Sequence, residues 1–328
     1  MGACCFVPGA AFVALEKNDT SLEYVLVPKG EHFFYPGRFV GHRQTLQHTS
    51  PPLTLESLSL SPRCAACPET LARLPPRPTA VPAATPDLTP PSDRRGVRGV
   101  RSVFRVDGFL SSDECRHIMR LATPALRPSI LHSMGHPQQV EGGTIDPIRT
   151  SETAWLDRFF GVNRGAPETD VTRAVVARAV ALARVPGDTH AEGLQVLRYS
   201  VGGKYRHHVD WLEGHHPARL ATVLMFLNDG EATGAAADEF GKLEGGGGTN
   251  FALRHSESYP EMRHAGCEAG LTVAPKAGTA VFFYNMHPHA SATSDYSIDW
   301  TAWHSGCSVT AGVKWVANVW IRNDETEW

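Results

Sequence analysis

A chain of 328 residues with 42% hydrophobic and 20% charged residues can bury a sizeable core and reads as globular. A formal net charge of -3 with no Lys/Arg run argues against a nucleic-acid partner. Seven cysteines are few for a disulfide scaffold, and the longest uncharged apolar stretch, Ala3 to Leu15, is too short for a transmembrane span.

Targeting signals at the N-terminus are weak. Ala3 to Leu15 has the length of a signal-peptide core, but no basic residue precedes it and Pro8 interrupts it. Met1-Gly2-Ala3-Cys4-Cys5-Phe6 hints at acylation but lacks the Ser or Thr that myristoylation prefers at position 6. Asn18-Asp19-Thr20 is a glycosylation sequon that matters only on the secretory route. Eleven of the 24 prolines lie between Pro51 and Pro91, which removes backbone donors and opposes helix and strand pairing. Residues 45–97 are therefore expected to be a linker, making 1–98 a largely disordered arm ahead of a domain at 99–328. Cys64 and Cys67 have the spacing of half a zinc or redox site; with no second half nearby, they read as an exposed loop pair.

Regular structure is expected from residue 99. Val103 to Val106 reads as a short strand. Ser111 with Glu114 forms a capping box, placing Cys115, Ile118, Met119 and Ala122 on one helical face, and Pro124 and Pro128 end that helix. A second helix is expected over 170–184, with Val171, Val175 and Leu182 on its buried side. From Leu194 the pattern changes to short β-rich runs between Gly-rich turns: 194–199, 205–211, 219–227, 249–253, 271–274, 279–284 and 313–321. Helices followed by many strands point to an α+β chain whose second part is a sandwich or jelly roll.

Within that part, His208-Val209-Asp210 lies in a strand-like run, where side chains two apart share a face. An imidazole and a carboxylate so placed need a second imidazole to complete the facial triad of non-haem iron(II). His287, His289 and His304 are candidates. Only His304 is followed ten residues later by a lysine in a strand-like run, Lys314 of Val313 to Ile321. Lys314 shares a face with Asn318 and Trp320. A lysine among apolar neighbours is costly to bury unless an anion meets it, and a dicarboxylate cosubstrate would supply one. The alternative is a lysine snorkelling from an edge strand.

The stretch from Leu194 to Trp211 resembles the first metal-binding strand region of the prolyl 4-hydroxylases. Arg219 to Thr222, Gly246 to Phe251, Pro275 to Asn285, and His304 to Cys307 through Trp320 match in order, as do Val106 to Ser111 and Arg149 to Ser151. Asp295 to Ser297 and Lys314 to Asn318 resemble in particular the transmembrane, endoplasmic-reticulum branch. The resemblance implies a double-stranded β-helix (jelly-roll) core with supporting N-terminal helices. It also implies a dioxygenase that uses Fe(II), 2-oxoglutarate, O2 and L-ascorbate to hydroxylate proline at C4 in a peptide or protein substrate.

Carried over by residue, it implies His208, Asp210 and His304 as iron ligands and Lys314 as partner of the cosubstrate's C5 carboxylate. Tyr199 would give its hydroxyl to the same carboxylate, Thr222 and Trp320 would line that pocket, and Arg149 and Arg219 would face the peptide. Cysteines placed like Cys267 and Cys307 often pair in relatives, so a disulfide is expected between them, and with it an oxidising compartment such as the endoplasmic reticulum lumen; a cytoplasmic setting is the alternative. Three features depart from the family: an insertion, Ile298 to Trp303, ahead of His304, an Ala/Gly/Glu-rich loop between Asp229 and Gly245, and an N-terminal arm in which no membrane span is expected, unlike the transmembrane branch. Rival readings are the same chemistry on a lysyl residue or nucleobase, whose enzymes more often grip the cosubstrate with arginine, and a non-catalytic binding module that keeps the fold.

Overall fold

The computed structural model describes residues 35, 43–46, 48–58, 103–129, 149–157, 166–210, 217–230, 239–252, 266–268, 270–286, 299 and 302–325. The acylation signal, the sequon, Cys64, Cys67, His287, His289 and Asp295 to Ser297 lie outside these residues.

Helix α1 (Ser112–Ala122) starts where its capping box predicts: Ser111 Oγ accepts from the Glu114 amide at 3.2 Å, and Glu114 accepts from the Ser111 amide at 2.8 Å. The same Glu114 binds Arg178 of helix α2 (Asp170–Ala183) at 2.7 Å, tying the two helices together. Cys115, Ile118, Met119 and Ala122 are buried as the periodicity requires. On α2, Val175 and Leu182 are buried while Val171 is only half-buried.

The strands are β1 (Arg43–Leu46), β2 (Leu53–Ser57), β3 (Val103–Asp107), β4 (Arg127–Pro128), β5 (Glu152–Asp157), β6 (Ala166–Pro167), β7 (Leu194–Tyr199), β8 (Tyr205–His208), β9 (Arg219–Phe226), β10 (Leu243–Gly246), β11 (Thr249–Phe251), β12 (Leu271–Val273), β13 (Ala280–Tyr284), β14 (His304–Gly306), β15 (Val309–Gly312) and β16 (Lys314–Arg322). Among the described residues the major sheet runs β1-β2-β3-β13-β9-β16-β7-β5-β4, with β6 beside β5, and a minor sheet runs β12-β11-β14-β8. Pairing is antiparallel except between β5 and β6. This is the jelly-roll core that the run of short strands predicts.

Strand alternation explains the layers. On β16, Trp315, Ala317, Val319 and Ile321 pack with the residues of α1 and α2, whereas Val316 packs between the sheets with Leu197, Phe226, Phe251 and Phe283. On β13, Phe282 faces the helices and Phe283 the minor sheet, both with no exposure, each contributing roughly 1.5–3 kcal/mol by burial. Lys314, Asn318 and Trp320 alternate with the helix-facing residues and so point into the space between the sheets.

The expected linker over 45–97 does not hold for residues 45–46 and 48–58. β1 and β2 extend the major sheet through β3, and Leu46, Leu53 and Leu55 are buried. Proline density misled because it averages over the strand: Leu53-Thr-Leu-Glu-Ser57 itself is proline-free and alternates. Tyr35 reaches the same core, its hydroxyl donating to Leu182 O at 2.8 Å beside Phe104 and Phe282. No helix among the described residues is long and apolar enough to cross a membrane.

Candidate metal centre

Three side chains far apart in the chain meet because two local rules coincide. His208 is the last residue of β8 and Asp210 follows two residues on, just past the strand, while His304 on β14 is the cross-strand partner of His208. Their ligand atoms all lie within 4.8 Å of one another. Asp210 Oδ1 is 3.6 Å from His208 Nε2 and Oδ2 is 3.8 Å from His304 Nε2. The insertion before His304 therefore does not carry that imidazole away from the pair.

Both imidazoles are oriented from behind. His208 Nδ1 donates to Arg206 O at 2.9 Å and His304 Nδ1 to Ala302 O at 2.8 Å. A carbonyl can only accept, so each ring carries its proton on Nδ1, and in the neutral ring the Nε2 lone pair faces the centre. Burial, with help from His208 and against Asp210, lowers the His304 pKa to about 4, so this ring is neutral at physiological pH. Burial raises the Asp210 pKa, but His304, His208 and Arg219 outweigh it and hold the carboxyl well below the usual range. Two neutral nitrogens and one carboxylate suit a borderline divalent ion such as iron(II).

Lys314 lies deeper in the same space. It is 2% exposed in a central strand, so it is no snorkelling edge residue, and burial alone lowers its pKa to about 7. Its Nζ stands 5.4 Å over the Tyr199 ring and 5.8 Å over Phe226, with no acidic partner among the described residues. Around it the walls are stripped of side chains. A Cβ on Gly247, which sits at φ +71°, would lie 3.2 Å from Lys314 Cδ, and one on Gly306 would lie 3.9 Å from Nζ. Thr249 pairs with Gly306 across β11 and β14, and its buried hydroxyl has no hydrogen-bond partner among the described residues. An unpaired ammonium beside an orphaned hydroxyl fits a small carboxylate. Thr249 was not singled out in the sequence, although it sits inside the matching run Gly246 to Phe251.

The remaining expected site residues are placed as follows. Tyr199 has its hydroxyl hydrogen-bonded with Ser151 and Arg149, and burial raises its pKa. Arg149 lies 4.8 Å over Tyr205, whose ring stacks on His208 at 3.7 Å. Thr222 donates its hydroxyl to Asp210 Oδ2 at 2.8 Å. Trp320 is held between Trp155 at 5.8 Å and the Arg219 guanidinium at 3.7 Å. Arg219 is committed to Glu192 through contacts of 2.6 and 2.8 Å, and Arg322 binds the same carboxylate at 2.8 Å. Glu192 carries no motif and precedes β7 in an irregular segment, so no sequence signal marked it.

Cys267 and Cys307 are joined, closing 40 residues of chain and bracing the segment after β14. A loop of that length corresponds to about 4 kcal/mol of stabilisation on the chain-entropy account. Thermal melts should show the Cys267→Ser/Cys307→Ser protein destabilised by about 2–4 kcal/mol; an unchanged melting temperature would remove the bridge from the stability of the centre.

The family model described as the 2OG-Fe(II) oxygenase superfamily matches residues 194–322. Probable prolyl 4-hydroxylase 7 of Arabidopsis thaliana is 31% identical over 228 residues, 67% of this chain and 62% of that protein. Prolyl 4-hydroxylase 5 of the same plant is 33% identical over 227 residues, 66% of this chain and 67% of that protein. The transmembrane prolyl 4-hydroxylase of Mus musculus is 32% identical over 216 residues, 54% of this chain and 38% of that protein. The chain thus spans between about one third and two thirds of the length of these relatives.

Proposed function

Because this chain belongs to the prolyl 4-hydroxylase family of 2OG-Fe(II) oxygenases, we propose that it hydroxylates peptidyl proline at C4, with His208, Asp210 and His304 holding iron(II). The observation that carries the reading is the meeting of those three ligand atoms, with Lys314 buried and without an acidic partner among the described residues. The iron and 2-oxoglutarate together supply the oxidising power: one oxygen atom of O2 ends in succinate, the other in the hydroxyl group, and CO2 leaves. Everything else falls to the chain. Lys314, with Thr249 and Tyr199 beside it, binds the C5 carboxylate and so aims the 2-oxo acid toward the triad. The apolar walls from Phe251, Phe283 and Phe226 keep water from that space.

Trp320 carries Arg219 and Trp155 against its ring, and Arg149 lies over Tyr205, whose ring stacks on His208. These residues support a peptide-facing role for Arg149 and Arg219, the latter through the ring it holds, with two of its donors engaged by Glu192. The Cys267–Cys307 bridge supports maturation in an oxidising compartment, as the secretory route provides.

The test incubates the full chain with iron(II), 2-oxoglutarate, ascorbate as reductant and proline-rich peptides. Succinate and a peptide heavier by one oxygen atom are expected, with the hydroxyl at proline C4. Succinate without peptide oxidation would redirect the substrate toward another residue or a nucleobase. Neither product would leave the fold as a binding module.

A further inference from the structure

We propose that Asn285 and Thr222 form a buried relay that sets which oxygen of Asp210 faces the metal, making both positioning residues for the centre. The inference rests on the metal reading of the triad. It starts from the register of the major sheet. Thr222 on β9 is opposite Phe283 on β13, so the residue following β13, Asn285, arrives beside Thr222, held there by its amide donating to Leu220 O at 2.8 Å. Thr222 is 0% and Asn285 1% exposed, so no water competes for their polar atoms.

The direction of every hydrogen bond follows from donor counts. An ionised carboxylate only accepts, so the Thr222 hydroxyl must donate to Asp210 Oδ2, at 2.8 Å. A hydroxyl has one proton, so the 2.9 Å contact between Thr222 Oγ1 and the Asn285 side chain must be donated by Asn285 Nδ2. The amide thereby removes the rotational freedom of the hydroxyl and polarises it toward the carboxylate. With Oδ2 taken, Oδ1, on the His208 side, is left to bind the ion. Single-oxygen ligation keeps coordination positions free for a chelating 2-oxo acid and O2, as the facial triad requires. A valine at 222 has the same shape but no donor, and leaves both oxygens of Asp210 free to turn.

The test measures Mn(II) affinity of the full chain without cosubstrate or peptide, from the electron paramagnetic resonance signal of free Mn(II), and the absorption spectrum of the Co(II) form. Thr222→Val should weaken Mn(II) binding about tenfold or more and alter the Co(II) bands, while Thr222→Ser should restore both, since outer partners of metal ligands are worth about 10–100-fold. Asn285→Ala should weaken binding less, and the double variant no further than Thr222→Val alone, because the amide acts only through the hydroxyl. Wild-type affinity in Thr222→Val, or additive losses in the double variant, would overturn the relay. His208→Ala separates the two levels. If it binds Mn(II) as the wild type does, the metal centre itself is misassigned and the relay falls with it. If it does not, the valine–serine pair decides, even should Asn285→Ala fail to fold.

Discussion

Asp210→Ala should abolish succinate formation and with it the rise in melting temperature that Mn(II) gives the unaltered protein. Of the three residues proposed to hold the ion, Asp210 alone brings negative charge, and without it only the two imidazoles remain at the edge of an apolar space. Turnover should fall by at least about a thousandfold, because even outer partners of metal ligands are worth about 10–100-fold. The metal-free protein carries its own signature. A carboxyl whose folded pKa lies below its unfolded value stabilises the fold above the unfolded pKa, and the contribution fades as pH falls through the folded one. Acid melts of the metal-free wild type should therefore show a loss of stability below about pH 4 that is smaller in Asp210→Asn, which keeps the shape and an acceptor for Thr222. Retained turnover in Asp210→Ala, or an undiminished Mn(II)-induced shift, would remove this residue from the centre.

What made the centre legible was the period of two along a strand. His208 and Asp210 share a face by spacing alone, and Lys314 could be set on the same face as Trp320 before any partner strand was known. The pairing of β8 with β14 is not local; it became readable only through the lysine ten residues beyond His304, which separated that histidine from His287 and His289. Thr249, Asn285 and Glu192 escaped because their roles depend on register between strands distant in sequence: a threonine or asparagine at a strand end looks the same whether it meets water or a carboxylate. Thr222 came from the resemblance alone, as a residue of the cosubstrate pocket; its contact with Asp210 Oδ2 joins β9 to the segment after β8 and has no local signal in the sequence. The early strands were lost to composition. Their prolines lie around β2 rather than in it, and what holds that strand is long-range: pairing with β3, and the burial of Leu53 and Leu55 under the core that Tyr35 completes.

Lys314→Met should make the cosubstrate-free protein more stable while destroying its affinity for 2-oxoglutarate. The ammonium is buried with no anion beside it among the described residues, and its pKa falls to about 7 from 10.5. Such a difference corresponds to a folding cost of roughly 5 kcal/mol at and below pH 7, of which about 2–4 should be recovered by an apolar side chain of similar length. The sign follows from the depressed value: the unfolded chain holds the proton more tightly, so the cost is complete below pH 7 and shrinks as pH rises toward 10.5. The stability gap between variant and wild type should close over that interval. Cosubstrate binding runs the other way. A dicarboxylate supplies the missing anion, so wild-type affinity for 2-oxoglutarate should be flat below pH 7 and fall up to about tenfold per pH unit above it, with a proton taken up on binding. In Lys314→Met the affinity should drop about a hundredfold or more, the pH slope and proton uptake should vanish, and peptide affinity should move by less than about threefold, because only the C5 carboxylate loses its partner. Calorimetric titration of the anaerobic Mn(II) form in two buffers of different ionisation enthalpy measures all three. A variant no more stable than wild type that binds 2-oxoglutarate unchanged would mean that the amine meets some other anion, and that the cosubstrate's far end lies elsewhere in the barrel.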